Sequence, residues 1–305
     1  MNSSLQHSPH GSALILGGGG STGNAWLIGV VAGLYEAGVD VTTADLIVGT
    51  SAGSTAAAQI TSVSPPQLLD DILTAVPPTR PGPPPGDRGT APATPPVNHL
   101  ERTNEVIAAS TDHADMRRRL AASALALDPD ATGSARWRAT VATRFPSAEW
   151  PRQRVLITAI DANTGDPVVF DRDSGIDLVD AVAASTSGGL SYGVGDQRYL
   201  DGGYRTNADN ADLATGYARV LVLSPFSGRT RFPEAWGMHL ADQVAALRLG
   251  GSRVETVFPD PEADHLFGTN ALDLSLRPAA ARAGHEQGRR LAERLGGFWS
   301  ASDPT

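Results

Sequence analysis

The stretch from Asp45 to Ile60 constrains this chain most. An apolar run, Asp45-Leu46-Ile47-Val48, leads into Gly49-Thr50-Ser51-Ala52-Gly53, and Ser54 to Ile60 have the composition of a helix. Gly-x-Ser-x-Gly between a strand and a helix predicts a nucleophile elbow, a sharp turn that thrusts the serine out at the strand end. Positions two before and two after the serine must lack side-chain bulk, which assigns that role to Gly49 and Gly53. The serine then stands over a helix N-terminus, a place that favours developing negative charge. The competing reading is a glycine-lined turn with no chemistry.

Two further features bear on that choice. Upstream, Ala13-Leu14-Ile15-Leu16 reads as a buried strand that runs into Gly17-Gly18-Gly19-Gly20-Ser21-Thr22-Gly23. A helix follows from Asn24 to Ala37. Consecutive glycines leave backbone N–H groups uncovered, and such groups can face an oxyanion. Downstream, Tyr199-Leu200-Asp201-Gly202-Gly203 places a carboxylate at a strand end with two glycines that permit close approach of another loop. Asp201 is the candidate base for Ser51.

In this order the three elements resemble the patatin-like phospholipase family. Gly18, Gly20 and Gly23 match its glycine loop, Ser51 its nucleophile and Asp201 its dyad aspartate. Ile157 to Phe170 is similar to its strand pair, and Asp180 to Ser185 to the helix before the aspartate. The resemblance covers about residues 12–62 and 154–224. It implies a three-layer α/β sandwich with a mainly parallel central sheet and a helical insertion over the active-site side. It also implies a lipid acyl hydrolase that works through a Ser-Asp dyad and an acyl-enzyme. The oxyanion would be held by N–H groups of Gly18, Gly19, Gly20 and Ala52, and no metal or organic cofactor is required. Three positions depart from the family pattern. Thr22 stands where the family has a basic residue, Thr186 to Tyr192 lacks its proline, and Asn207-Ala208-Asp209 has Asp209 where a proline is usual.

Composition narrows the partners. The formal net charge is -9 and the pI about 5.2, against general affinity for nucleic acid or strongly anionic membranes. Lipid or ester substrates, with transient contact at a membrane surface, remain. There is no cysteine, so thiol chemistry is excluded. Residues 1–10 lack the basic start and apolar core of a secretory signal, and no run is long enough to span a bilayer, so a cytoplasmic protein is expected. The alternation of strands and helices predicts a parallel α/β sheet. The expected layout is a disordered tail at 1–11 and one domain at 12–300, with 66–150 as a Pro-rich and helical insertion. Nine of the 22 prolines fall at 77–96, which rules out a helix or inner strand there and suggests a linker or a flap. Trp137, Phe145 and Trp150 either cap the core or line an acyl groove. Helices are expected at 234–249 and 278–297, with a strand at 253–258 between them.

The alternatives differ in chemistry. Gly18-x-Gly20-x-x-Gly23 is also a dinucleotide fingerprint, but that fingerprint wants an acidic residue at the end of the second strand, where this chain has Gly49-Thr50-Ser51. An α/β-hydrolase triad would draw its histidine from His239, His265 or His285. A third reading is a binding protein that keeps the fold without catalysis.

Overall fold

The computed structural model describes residues 9–75 and 99–301. The proline-rich segment at 77–96 and most of the expected N-terminal tail lie outside these residues. The end of that tail is tied down: His10 N–H donates to Gly216 O, and Ala218 N–H donates back to His10 O.

The chain begins with β1 (Ser12–Leu16), α1 (Gly20–Glu36), β2 (Leu46–Gly49), α2 (Ala52–Ile60) and α3 (Pro65–Thr74). After the undescribed segment come α4 (His99–Ala109), α5 (His113–Leu127) and α6 (Ser134–Ala142). Then follow β3 (Arg154–Asp161), β4 (Pro167–Phe170), α7 (Leu178–Ser185), β5 (Tyr192–Val194) and β6 (Gln197–Asp201). β7 (Arg219–Leu223), α8 (Leu240–Leu249), β8 (Arg253–Val257) and α9 (Arg277–Trp299) complete it.

The strands form an eight-stranded sheet. β3, β2, β1, β7 and β8 lie side by side and parallel. Alternate residues feed opposite layers, as strand geometry requires. Leu14, Leu16, Ile47, Ile157, Leu221 and Leu223 face a layer containing α1, α2, α3, α7 and α9. Ala13, Ile15, Leu46, Val48, Val220 and Val222 face α8 and the turn at 211–214. Both faces are covered, so the strands read in sequence as unbroken apolar runs. This is the three-layer α/β sandwich with a mainly parallel sheet.

One edge of β3 positions the site. Ile157 pairs with Gly49 of β2 on one side and with Phe170 of β4 on the other. β2 stops there, and β6 takes over its edge, antiparallel, with Asp201 opposite Ala159. Asp201 therefore lies two residues along β3 from the end of β2, about 7 Å at strand rise.

The helices of the expected insertion at 66–150 pack in three places. α3 packs with α1 and α9 in the main core through Leu68, Leu69 and Ile72. Ile107, Met116, Leu120 and Ala124 of α4 and α5 form a separate cluster with Ile160, Leu200 and Phe232. α6 packs on α7. The helix expected from 234 starts only at Leu240, because Gly237 at φ +63° ends a single preceding turn and Asp242 Oδ2 accepts from His239 N–H, which starts a new one.

α1 is buried from Thr22 to Leu34 and runs parallel to α9. The two touch through glycines. A Cβ built on Gly29 would stand 2.2 Å from Ala281 O, and one on Gly288 2.4 Å from Val30 O. Gly29→Ala should therefore destabilise the fold by about 1–3 kcal/mol, the usual scale of overpacking. Gly297→Ala, on α9 with open space around its Cβ position, should stabilise by up to about 1 kcal/mol. Urea unfolding of the two variants checks this; equal stabilities would contradict the packing described.

Candidate active site

The elbow places Ser51 where the sequence predicts. Ser51 has φ 51° and ψ -116°, a costly backbone for a residue with a side chain, between β2 and α2. The turn holds because its neighbours come so close. A Cβ on Gly53 would stand 1.8 Å from Leu16 O, and one on Gly49 2.6 Å from Ser54 Cα. Thr50 N–H donates to Leu16 O at 3.1 Å, which ties the elbow to the end of β1. Ser51 N–H donates to the Ser185 hydroxyl at 2.9 Å, so the end of α7 braces Ser51.

Ser51 Oγ donates to Asp201 Oδ2 at 3.0 Å. Asp201 is buried, and its Oδ1 accepts from Gly203 N–H at 2.8 Å. Burial pushes its carboxyl up to about 6, against the lowering effect of bonds from Gly203, Ser51 and the Gly188 amide. Gly202 has no room for a side chain: its Cβ would lie 2.1 Å from Thr158 Oγ1.

Three buried polar groups lock these pieces together. Thr158 Oγ1 donates to Thr50 Oγ1 at 3.0 Å. Asn210, at φ +54° and fully buried, donates through Nδ2 to Thr50 Oγ1 at 2.9 Å and to Gly202 O at 3.0 Å. One side chain thus holds both the elbow and the aspartate loop. Ser185, Asn210 and Thr158 were not singled out from the sequence. Ser185 ends an apolar helix, a signal that could have marked it; the other two carry none.

The glycine loop is more selective than expected. Gly18 N–H, expected as an oxyanion donor, donates instead to Ala208 O at 2.7 Å and anchors the loop. Gly18 still matters, since its Cβ position is 3.4 Å from Ser51 Cβ. Among the described residues the amides of Gly19, Gly20 and Ala52 have no hydrogen-bond acceptor. Gly19 packs on Pro225 and Gly23, with a Cβ position 2.5 Å from Pro225 Cβ. Thr22 is fully buried, and its N–H donates to Ala271 O at 3.0 Å.

The histidines of the rival triad lie elsewhere. His239 Nε2 meets Phe232 O, His265 Nδ1 meets Glu262 O, and His285 Nε2 meets Glu36 Oε2. His99 comes nearer: its Nε2 is 3.0 Å from the Tyr204 hydroxyl. Arg102, one turn along α4, donates to Gly189 O at 2.8 Å and so supports the loop that bonds Asp201. Phe145 is buried in the core, and Trp137 and Trp150 pack against it; Trp137 also borders an open cavity of about 290 Å³ with Thr186, Ser187, Leu190 and Tyr192. Among the described residues no helix is long and apolar enough to cross a membrane, and no group of three acidic or histidine side chains could hold a metal ion.

The family model described as patatin-like phospholipase matches residues 14–214 of the 305. No curated protein matches the chain.

A second buried carboxyl sits under the glycine loop. Asp209 is 2% exposed, its Oδ1 has no partner, and a Cβ on Gly17 would stand 2.2 Å from that oxygen. Burial pushes it up to about 7 despite a bond from Ser224. A folded-state value above the unfolded one means that stability is fully present below about pH 4 and is lost as pH rises through 7. Asp209→Asn should therefore be more stable than wild type at pH 8, with the gain shrinking toward pH 4. Urea unfolding at the two pH values checks this; a gain independent of pH would contradict it.

Proposed function

The chain belongs to the patatin-like phospholipase family, a family of lipid acyl hydrolases, and on that premise we propose that Ser51 and Asp201 cleave carboxylic esters of lipids as a two-residue dyad. The observation that carries the reading is the 3.0 Å bond from Ser51 Oγ to Asp201 Oδ2, with no histidine against either residue among those described.

The reaction runs in two halves. Ser51 Oγ attacks the ester carbonyl as its proton passes to Asp201, and the carbonyl oxygen takes the negative charge. Amides of Gly19, Gly20 and Ala52 are the donors left to face it, at the N-termini of α1 and α2. Collapse of the intermediate breaks the bond to the alcohol, which leaves with the proton from Asp201, and the acyl group stays on Ser51. Water then gives a proton to Asp201, its hydroxyl attacks the acyl carbon, and the fatty acid departs as Ser51 recovers its proton. A carboxyl raised to about 6 is a better base than an ordinary aspartate and is still ionised at neutral pH. No step calls for a metal or an organic cofactor.

A fluorophosphonate should add once, at Ser51, and Ser51→Ala should abolish labelling. Asp201→Asn should lower ester hydrolysis by about 10²–10⁴, the usual share of general-base catalysis. His239→Gln, His265→Gln and His285→Gln should each keep most activity. Mass spectrometry and initial rates on p-nitrophenyl butyrate read these outcomes. Collapse in one folded histidine variant would mean a triad.

A further inference from the structure

Exposed leucines stand on both sides of the dyad. β1, β2, β7 and β8 run parallel, and α9 runs parallel to α1, so the segment between β8 and α9 lies at the end of the sheet that carries the glycine loop and Ser51. Ala271 O accepts from Thr22 N–H at 3.0 Å, and a Cβ on Gly20 would stand 2.6 Å from the same oxygen. Arg277 Nη1 donates to Ser21 O at 2.9 Å. Between these two fastenings lie Leu272, 80% exposed, and Leu274, half exposed. Asp273 Oδ1 accepts from Ser275 N–H at 2.9 Å and holds the pair on a tight turn. The second pair adjoins the aspartate loop. The Gly188 amide bonds Asp201, and Gly189 packs on the first turn of α4: a Cβ there would stand 2.1 Å from His99 Nδ1, and Gly189 O accepts from Arg102 at 2.8 Å. Leu190 follows Gly189, Leu100 follows His99, and both are half exposed. Ser51 is partly exposed between the pairs, with Gly18 on one side and Asp201 on the other.

A single exposed leucine needs no explanation. Leu249 is such a case: it is 89% exposed and ends α8 beside the amino-terminal end of β8, at the opposite end of the sheet. Two pairs around one opening call for an occupant, and their loops are already fastened, so little order is lost when they are covered. What lies between the pairs selects that occupant. A second copy of the chain, or another protein, seated on both pairs would cover Ser51 and shut the site. A lipid surface covers the leucines and brings the ester to the opening. Charge selects the kind of lipid. Exposed Glu101 and Asp273 adjoin the leucines and outnumber exposed Arg231, whose Nη1 lies 3.4 Å from Leu100 O, and the whole chain carries -9. An anionic surface is therefore repelled.

We propose that Leu100, Leu190, Leu272 and Leu274 dock the protein on an uncharged or zwitterionic lipid surface, with the opening above Ser51 turned to the lipid. The leucines enter the boundary between headgroups and acyl chains, and the apolar area they bury there holds the protein in place. The choice of lipid as partner rests on the acyl-hydrolase reading of the same site.

The test uses full-length Ser51→Ala, which binds without hydrolysis, co-sedimented with phosphatidylcholine vesicles. This parent should bind. Leu272→Ser/Leu274→Ser and Leu100→Ser/Leu190→Ser, each made in it, should lower the partition coefficient by about tenfold or more. Leu249→Ser should bind like the parent. Should a double variant misfold, Leu272→Ser or Leu100→Ser alone replaces it, with a fall of about threefold expected. No binding to phosphatidylcholine, a loss as large in Leu249→Ser, or unchanged binding in either double variant overturns the docking. Tighter binding to phosphatidylglycerol vesicles overturns the choice of an uncharged surface. A parent that is a dimer by analytical ultracentrifugation, and a monomer once the leucines are changed, gives the face to a second copy and overturns the lipid assignment. Wild-type hydrolysis of dissolved p-nitrophenyl butyrate separates the two readings. If that ester is cleaved and vesicles are not bound, the docking alone fails. If it is not cleaved, the dyad reading fails while the vesicle results still decide the docking.

Discussion

The structure depends on how one edge of β3 is shared. β2 occupies it as far as Ile157, and β6 enters from the opposite direction at Ala159. A parallel strand that carries the elbow and an antiparallel strand that carries the aspartate thus meet nearly end to end. Had β6 joined the other edge, which β4 fills, Asp201 would lie across the sheet from Ser51. The meeting point is then made rigid by groups with no other outlet: Asn210 Nδ2, Thr50 Oγ1 and Thr158 Oγ1 satisfy one another in a dry interior. Buried polar groups left unpaired are costly, so this cluster specifies one arrangement of the elbow and the aspartate loop.

Burial at the site has opposing effects. Enclosing Asp201 raises its affinity for a proton, which a base needs, while bonds from Gly203, Ser51 and Gly188 keep it ionised near neutral pH. Asp209 shows the same cost with less compensation, since one oxygen has no partner. The Ser51 backbone is strained, and the contacts of Gly49 and Gly53 with Ser54 and Leu16 hold it there. These local costs are borne by a large apolar core on both faces of the sheet.

Much of this was legible in the sequence because it is local. The unbroken apolar runs at 13–16, 46–48 and 220–223 reflect strands covered on both faces, and Gly49 reflects a contact with Ser54 a few residues away. What was not legible depends on distant partners. Gly18 looks like its neighbours until Ala208, from a loop far along the chain, takes its amide. Nothing near Arg277 says that it reaches Ser21, because α9 is placed by glycine contacts with α1. Within 66–150, α3 joins the main core, while α4 and α5 pack in a second cluster with Ile160 of β3 and Leu200 of β6. Apolar periodicity reveals that a helix has a buried face and not which layer it meets.

The central claim is that a buried aspartate alone activates Ser51. The most direct measurement is the rate of fluorophosphonate acylation of Ser51 as a function of pH, in wild type and in Asp201→Asn. Protonation removes the base, so the wild-type rate should fall as pH drops through about 6 and level off above about 7. Asp201→Asn should be slow at every pH, with that inflection gone. An inflection that persists in Asp201→Asn, or that disappears in a folded histidine variant with Asp201 intact, would contradict the account.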